Sequence, residues 1–202
     1  MSNSKSHSDD IFVAGFLDNS FVDWPGKICS VIFLGGCNFD CWYCHNRNIL
    51  CSSSNTTPLE VVVCQIKEQF GFIDGVCISG GEPTVHPHLR EIILAVRELE
   101  LPVKLDTNGS NCALVRELVD GGLVDFVAMD VKAPLEKYRE IAGVDVDLNE
   151  IKKTIDYLLK QKRAGVQFRT TPCPELTDGD FEAIKTLINK ANLHKNHFAN
   201  PK

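Results

Sequence analysis

Residues 35–46 read GGCNFDCWYCHN and place Cys37, Cys41 and Cys44 within eight positions, with His45 directly after them. Thiolates this close together are soft metal ligands, and their number decides what they can hold. Four would close a tetrahedral site around zinc. Three leave one coordination position, for His45 or for a substrate. Adjacent Cys44 and His45 can hardly ligate one ion without strain. Zinc sites also come as paired halves, and the next cysteine, Cys51, stands alone. A 4Fe-4S cubane is normally held by four cysteine thiolates. Held by three, it keeps one iron for an outside ligand.

Further polar and glycine-rich residues follow apolar runs: SGGEP from Ser79, DTNG from Asp106, MDVK around Asp130 and Lys132, and RTT from Arg169. Gly80 and Gly81 would let the backbone approach a ligand and expose N–H donors. Glu82 offers a carboxylate for an ammonium group. Asp106 and Asp130 could share a metal cation or bond ribose hydroxyls. Lys132 and Arg169 could pair with a carboxylate or with those aspartates. Each stretch alone reads equally well as a turn or a strand end. Their common position after successive strands points to one site.

The strands that must carry them are short and β-branched: KICSVIFL, GVCIS, PVKLDT, VDFVAMDVK and VQFRTT. Between and after them lie helical patterns. PLEVVVCQIKEQF puts Leu59, Val62, Val63, Ile66 and Phe70 on one face, and PHLREIILAVRELE does so with Leu89, Ile92, Ile93, Val96 and Leu99. CALVRELVDGG, LNEIKKTIDYLLKQKRAG and TDGDFEAIKTLINKAN follow, the last opening on the capping residues Thr177 and Asp178. Five β-then-α steps, with a sixth strand in HKNHFA, predict parallel strands joined by right-handed crossovers. The fold class is α/β, and an open, partial TIM-like barrel of five or six βα units fits the length. A closed eight-stranded barrel needs about 250 residues. A flat doubly wound sheet is the rival.

The chain has 202 residues, 44% of them hydrophobic, and a net charge of −6. Such a charge argues against a broad nucleic-acid surface. No apolar run approaches a membrane span, and the polar opening MSNSKSHSDD lacks the apolar stretch of a secretion signal. Residues 1–10 read as a disordered tail, 11–202 as a single domain, and the location as cytoplasmic. Nine cysteines, an odd number, suit a reducing compartment and a metal better than disulfides. Cys29, Cys64, Cys77 and Cys112 read as small buried hydrophobes. Cys51 and Cys173 have no assigned role.

Cys-x3-Cys-x2-Cys, with Tyr43 before the third cysteine, resembles the radical S-adenosylmethionine (SAM) signature, and GGE resembles that superfamily's methionine-amino-group motif. The stretch GFLDNSFVDWPGKICSVIFLGGCNFDCWYCHN is similar to the opening of activating proteins for anaerobic ribonucleoside-triphosphate reductase and of their pyruvate formate-lyase-activating relatives. DTNG and Asp-x-Lys extend the likeness over residues 11–176. Two places depart from it: the tail HKNHFANPK, and Cys173, which stands where an aliphatic residue is expected.

The resemblance implies that Cys37, Cys41 and Cys44 bind one 4Fe-4S cluster whose fourth iron is chelated by the amino and carboxylate groups of SAM. Tyr43 would lie beside the adenine, and Ser79, Gly80, Gly81 and Glu82 would hold the methionine moiety. Asp106, Asp130, Lys132 and Arg169 would line the SAM site. A monovalent cation that Thr107 helps bind would sit with the aspartates. His45 becomes a supporting residue rather than a ligand. The implied reaction cleaves SAM to methionine and a 5′-deoxyadenosyl radical, which takes hydrogen from a glycine of the partner. That partner would be anaerobic ribonucleoside-triphosphate reductase, with reduced flavodoxin or ferredoxin as electron donor. The βα units take up most of the length and leave little for a lid over a small substrate. The alternatives are activation of pyruvate formate-lyase or another glycyl-radical enzyme, radical chemistry on a small molecule or RNA, and a non-catalytic Fe–S or zinc module.

Overall fold

The computed structural model describes residues 11–47 and 56–188, together with the backbone of 193–195. Cys51, the expected N-terminal tail and most of HKNHFANPK lie outside the described residues. The strands are β1 (Phe12–Val13), β2 (Gly15–Ser20), β3 (Cys29–Leu34), β4 (Thr57–Pro58), β5 (Gly75–Gly80), β6 (Val103–Thr107), β7 (Phe126–Asp130), β8 (Gly165–Thr170) and β9 (Leu193–Lys195). The helices are α1 (Leu59–Glu68), α2 (Leu89–Arg97), α3 (Cys112–Asp120), α4 (Tyr138–Ala142), α5 (Leu148–Lys160) and α6 (Asp178–Leu187).

The main sheet runs β2-β3-β5-β6-β7-β8-β9. From β3 to β9 every pairing is parallel, and β2 lies antiparallel against β3. Strand order never reverses, so each crossover steps the same way around the sheet. A doubly wound sheet needs a reversal at its switch point, and none occurs here. The arrangement is the partial barrel expected from the strand–helix alternation. It differs from the expected pattern at its start. β2 was not foreseen, because GFLDNS alternates poorly, and β1 with β4 makes a small separate antiparallel pair.

Helix faces follow the apolar spacing. Leu59, Val62 and Ile66 of α1 and Leu89, Ile92, Ile93 and Val96 of α2 are buried against the sheet. Each such side chain contributes roughly 1.5–3 kcal/mol. Phe70 lies past the end of α1 and is exposed, contrary to expectation. Cys64 is also exposed, because it lies off the stripe formed by residues 59, 62 and 66. Cys29, Cys77 and Cys112 are buried as expected. Thr177 caps α6 in a reciprocal capping box completed by Asp180.

The strands' two faces sort by the period of two. Ile32, Leu34, Val76, Ile78, Val103, Leu105, Val127 and Met129 pack outward under the helices. The inner face holds a second cluster of Trp24, Cys29, Val31 and Cys77, with Phe33 and Phe126 at its edge. On the same face Lys104 lies level with Cys77, and Ser79, Asp106, Asp130 and Arg169 come above, toward the strands' C-terminal ends. The strands deliver these side chains to one rim.

Candidate active site

The three cysteines lie in the loop that follows β3, and three segments of the chain fix this loop. The N–H of Gly81 donates to the Leu34 carbonyl at 2.8 Å, and the N–H of Glu82 donates to Gly36 at 2.9 Å. The Asn46 side chain donates to the Gly80 carbonyl at 2.7 Å. Asn38 donates to Ser110 at 2.8 Å and accepts from the Asn108 amide at 2.9 Å, tying the loop to DTNG. The N–H of Asp40 donates to Ala142 at 2.8 Å, at the end of α4. Phe39 meets the Tyr138 ring edge-on at 6.4 Å.

Two glycines permit these approaches. Gly80 has φ 119°, and a Cβ there would lie 2.3 Å from the Leu34 oxygen and 2.4 Å from its nitrogen. At Gly143 (φ 71°), a Cβ would lie 2.3 Å from the Asp40 oxygen. Gly80 of SGGEP therefore serves backbone-to-backbone contact. The N–H of Gly81, expected as a donor toward a ligand, is taken by the Leu34 carbonyl of β3, and that of Glu82 by Gly36 in the loop. Gly80→Ala is expected to cost at least about 2 kcal/mol, because the obstructing atoms are backbone and cannot yield cheaply. Chemical denaturation would measure it, and an unchanged midpoint would contradict the close approach.

Glu82 shows the same inward use. Its Oε1 accepts from the Thr84 N–H at 3.1 Å, the Thr84 hydroxyl at 2.5 Å and the Thr107 hydroxyl at 2.7 Å. Its Oε2 accepts from the Asn108 N–H at 2.6 Å. Burial raises the Glu82 carboxyl, and these bonds offset part of that rise. The carboxylate clamps the end of β5 to the end of β6.

Across the rim runs a chain of ion pairs. Lys104, wholly buried, pairs with Asp106. Arg169 donates from Nη1 to Asp106 at 3.2 Å and from Nε to Asp130 at 2.9 Å. Lys132 pairs with Asp130 at 3.2 Å. Burial works to raise both aspartates, but Arg169 with Lys104 outweighs it at Asp106, and Arg169 with Lys132 outweighs it at Asp130. Both carboxyls end below their ordinary value, Asp130 at about 2. Lys104 was passed over in the sequence, although it alternates with Asp106 in VKLDT and so shares its face.

A cleft of about 290 Å³ opens onto this rim. All the residues singled out from the sequence line it: Cys37, Cys41, Cys44, Tyr43, Ser79, Gly80, Gly81, Glu82, Asp106, Thr107, Asp130, Lys132 and Arg169. His45, Asn46, Asn108 and Thr171 join them. Burial pushes the Cys37 and Cys41 thiols up. The Tyr43 hydroxyl is buried beside Cys41 without a hydrogen-bond partner of normal geometry.

The donor set fits an iron–sulfur cluster. It consists of soft thiols from one loop, facing a cleft with an unsatisfied buried hydroxyl. Among the described residues, no three His, Cys, Asp or Glu side chains converge on a point that could hold one ion. The expected monovalent cation fits poorly, since both aspartates already have side-chain cations as partners.

Residues 31–188 match the family model described as the radical SAM superfamily. The chain belongs to the radical SAM superfamily. Among its relatives is a protein of Methanocaldococcus jannaschii, provisionally assigned as a glycyl-radical enzyme activating enzyme. It is 38% identical over 188 residues, covering 90% of this chain and 77% of the relative. A Pyrococcus abyssi protein, provisionally assigned as a GTP 3′,8-cyclase, is 33% identical over 130 residues, covering 61% of this chain and 40% of its own length. In fold, this radical SAM chain is similar to Streptococcus suis SuiB bound to S-adenosylmethionine, with a TM-score of 0.64 at 17% identity. That alignment covers 85% of this chain and 39% of SuiB. The partial barrel is thus a radical SAM fold, and superfamily membership implies a 4Fe-4S cluster and SAM.

Proposed function

We propose that this chain is a radical SAM activase that generates a glycyl radical on a partner enzyme, anaerobic ribonucleoside-triphosphate reductase. The observation that carries the activase reading is the 38% identity to the Methanocaldococcus jannaschii relative along 90% of this chain. The choice of reductase rests on the resemblance of residues 15–46 to its activating proteins. The Pyrococcus abyssi relative, matched over 61% of this chain, supports the radical SAM core and offers GTP as a competing substrate class.

In this reading Cys37, Cys41 and Cys44 would hold a 4Fe-4S cluster. When bound, it would supply the single electron needed for reductive cleavage of SAM to methionine and a 5′-deoxyadenosyl radical. Tyr43 flanks the adenine with its buried hydroxyl available to the ligand. Ser79 and the SGGEP backbone border the methionine moiety, and Glu82 holds that segment rigid. Asp106, Asp130 and Lys132 face the polar parts of SAM. The partner's glycine loop excludes water that would quench the radical. Reduced flavodoxin or ferredoxin would supply the electron in a cytoplasmic setting. No helix among the described residues is long and apolar enough to cross a membrane.

Isotope transfer separates the substrate classes. With reductase carrying α-deuterated glycine, the 5′-deoxyadenosine formed is expected to gain deuterium. The same assay on pyruvate formate-lyase ranks the two partners. Deuterium arriving only from labelled GTP would overturn the activase reading.

A further inference from the structure

Asp106 and Asp130 end neighbouring strands, a placement that by itself would suit a shared metal cation. A side chain already bridges them. The single guanidinium of Arg169 reaches Asp130 through Nε at 2.9 Å and Asp106 through Nη1 at 3.2 Å. Each aspartate has a second cation as well, Lys104 for Asp106 and Lys132 for Asp130. Asp106 Oδ2 also accepts from the Ser79 hydroxyl at 3.1 Å. Three fixed cations therefore face two carboxylates. None of these five side chains is more than 24% exposed, so solvent screens them weakly. A metal ion placed among them would meet a surplus of positive charge and carboxylate oxygens already in use.

We propose that Arg169 is a built-in replacement for a bound alkali-metal ion. It holds Asp106 and Asp130 in place across β6, β7 and β8, and makes ligand binding indifferent to the monovalent cation in solution. Arg169 is a positioning residue that acts through the aspartates. Its planar fork spans both carboxylates, which the single ammonium of a lysine cannot do in the same way. Removing its charge leaves two cations against two carboxylates and opens the space between them. An alkali ion could then enter. The ligand part of this proposal rests on the cleft being the SAM site; the metal part does not.

The test compares anaerobically reconstituted wild-type protein with Arg169→Gln in two measurements. In crystals soaked with rubidium chloride, anomalous scattering should show no ion between Asp106 and Asp130 in the wild type and an ion there in the variant. In solution, wild-type SAM affinity should stay within about twofold when tetramethylammonium replaces potassium or sodium. The variant should bind SAM about tenfold more weakly in tetramethylammonium and recover most of that on adding potassium. If Arg169→Gln does not fold, Arg169→Lys serves: it should bind no rubidium, bind SAM more weakly than wild type and remain cation-independent. A rubidium ion between the wild-type aspartates, alkali-dependent SAM binding by the wild type, or a folded Arg169→Gln with no rubidium site and no cation rescue would each overturn the proposal. Failure of the wild type to bind SAM in any buffer would instead overturn the SAM reading of the cleft, and the rubidium result would still decide the role of Arg169.

Discussion

Replacing Cys37, Cys41 or Cys44 with Ala is expected to abolish both the cluster and SAM cleavage after anaerobic reconstitution, while the wild type holds about four irons per chain. The three thiols come from one loop and line one cleft, and a cubane held by two protein ligands exposes two irons to loss. The loop is braced mainly by backbone bonds from Gly81, Glu82 and Asp40, and the sulfurs add only two weak contacts, Cys37 Sγ accepting from the Phe39 N–H at 3.4 Å and the Cys41 thiol donating to the Ala142 carbonyl at 4.0 Å. The variants should therefore fold, and loss of iron should be separable from loss of structure. Cys64→Ala is the matched control, since Cys64 is exposed on α1. Iron analysis and electronic absorption measure the outcome. Stoichiometric zinc in place of iron in the wild type would contradict the assignment.

Glu82→Gln should destabilise the protein by about 3 kcal/mol, well beyond the effect of an ordinary surface change. The reason lies in how its partners are divided. Oε1 faces the Thr84 N–H, and Oε2 faces the Asn108 N–H. Either orientation of a glutamine amide sets its NH2 against a backbone N–H, and neither backbone group can turn away. Threonine hydroxyls can rotate to accept; peptide N–H groups cannot. A carboxylate that met only the ammonium group of SAM would give a different result, with weaker SAM binding at unchanged stability. Chemical denaturation alongside SAM titration distinguishes the two, and a full-stability Glu82→Gln would refute the clamp.

The rim was legible in the sequence because its members repeat one placement. Ser79, Asp106, Asp130 and Arg169 each stand at or near the C-terminal end of a β-branched run, and parallel strands bring such ends together. What those groups bond to was less legible. Glu82 and the Gly81 N–H looked ready to meet a ligand, yet their partners are Leu34, Gly36, Thr84, Thr107 and Asn108, all but Thr84 distant in sequence. Which of several acceptors a donor meets depends on how loops pack, and local spacing does not encode that. The α4 turn was missed for a similar reason. At five residues it is too short for helical periodicity to register, yet its end and Gly143 support Asp40 in the cysteine loop. Lys104 was readable in principle, since it shares a strand face with Asp106. A lysine inside a barrel is uncommon enough that composition alone does not suggest it.

In the proposed function the 5′-deoxyadenosyl radical is delivered to a glycine of another protein. Electron paramagnetic resonance of the reduced protein mixed with SAM and anaerobic ribonucleoside-triphosphate reductase tests it most directly. A carbon-centred signal split by one α-hydrogen is expected, growing in step with 5′-deoxyadenosine and absent when Cys41→Ala replaces the wild type. If 5′-deoxyadenosine forms only with GTP or another small molecule, and no glycyl-radical protein ever yields the doublet, the activase account is contradicted.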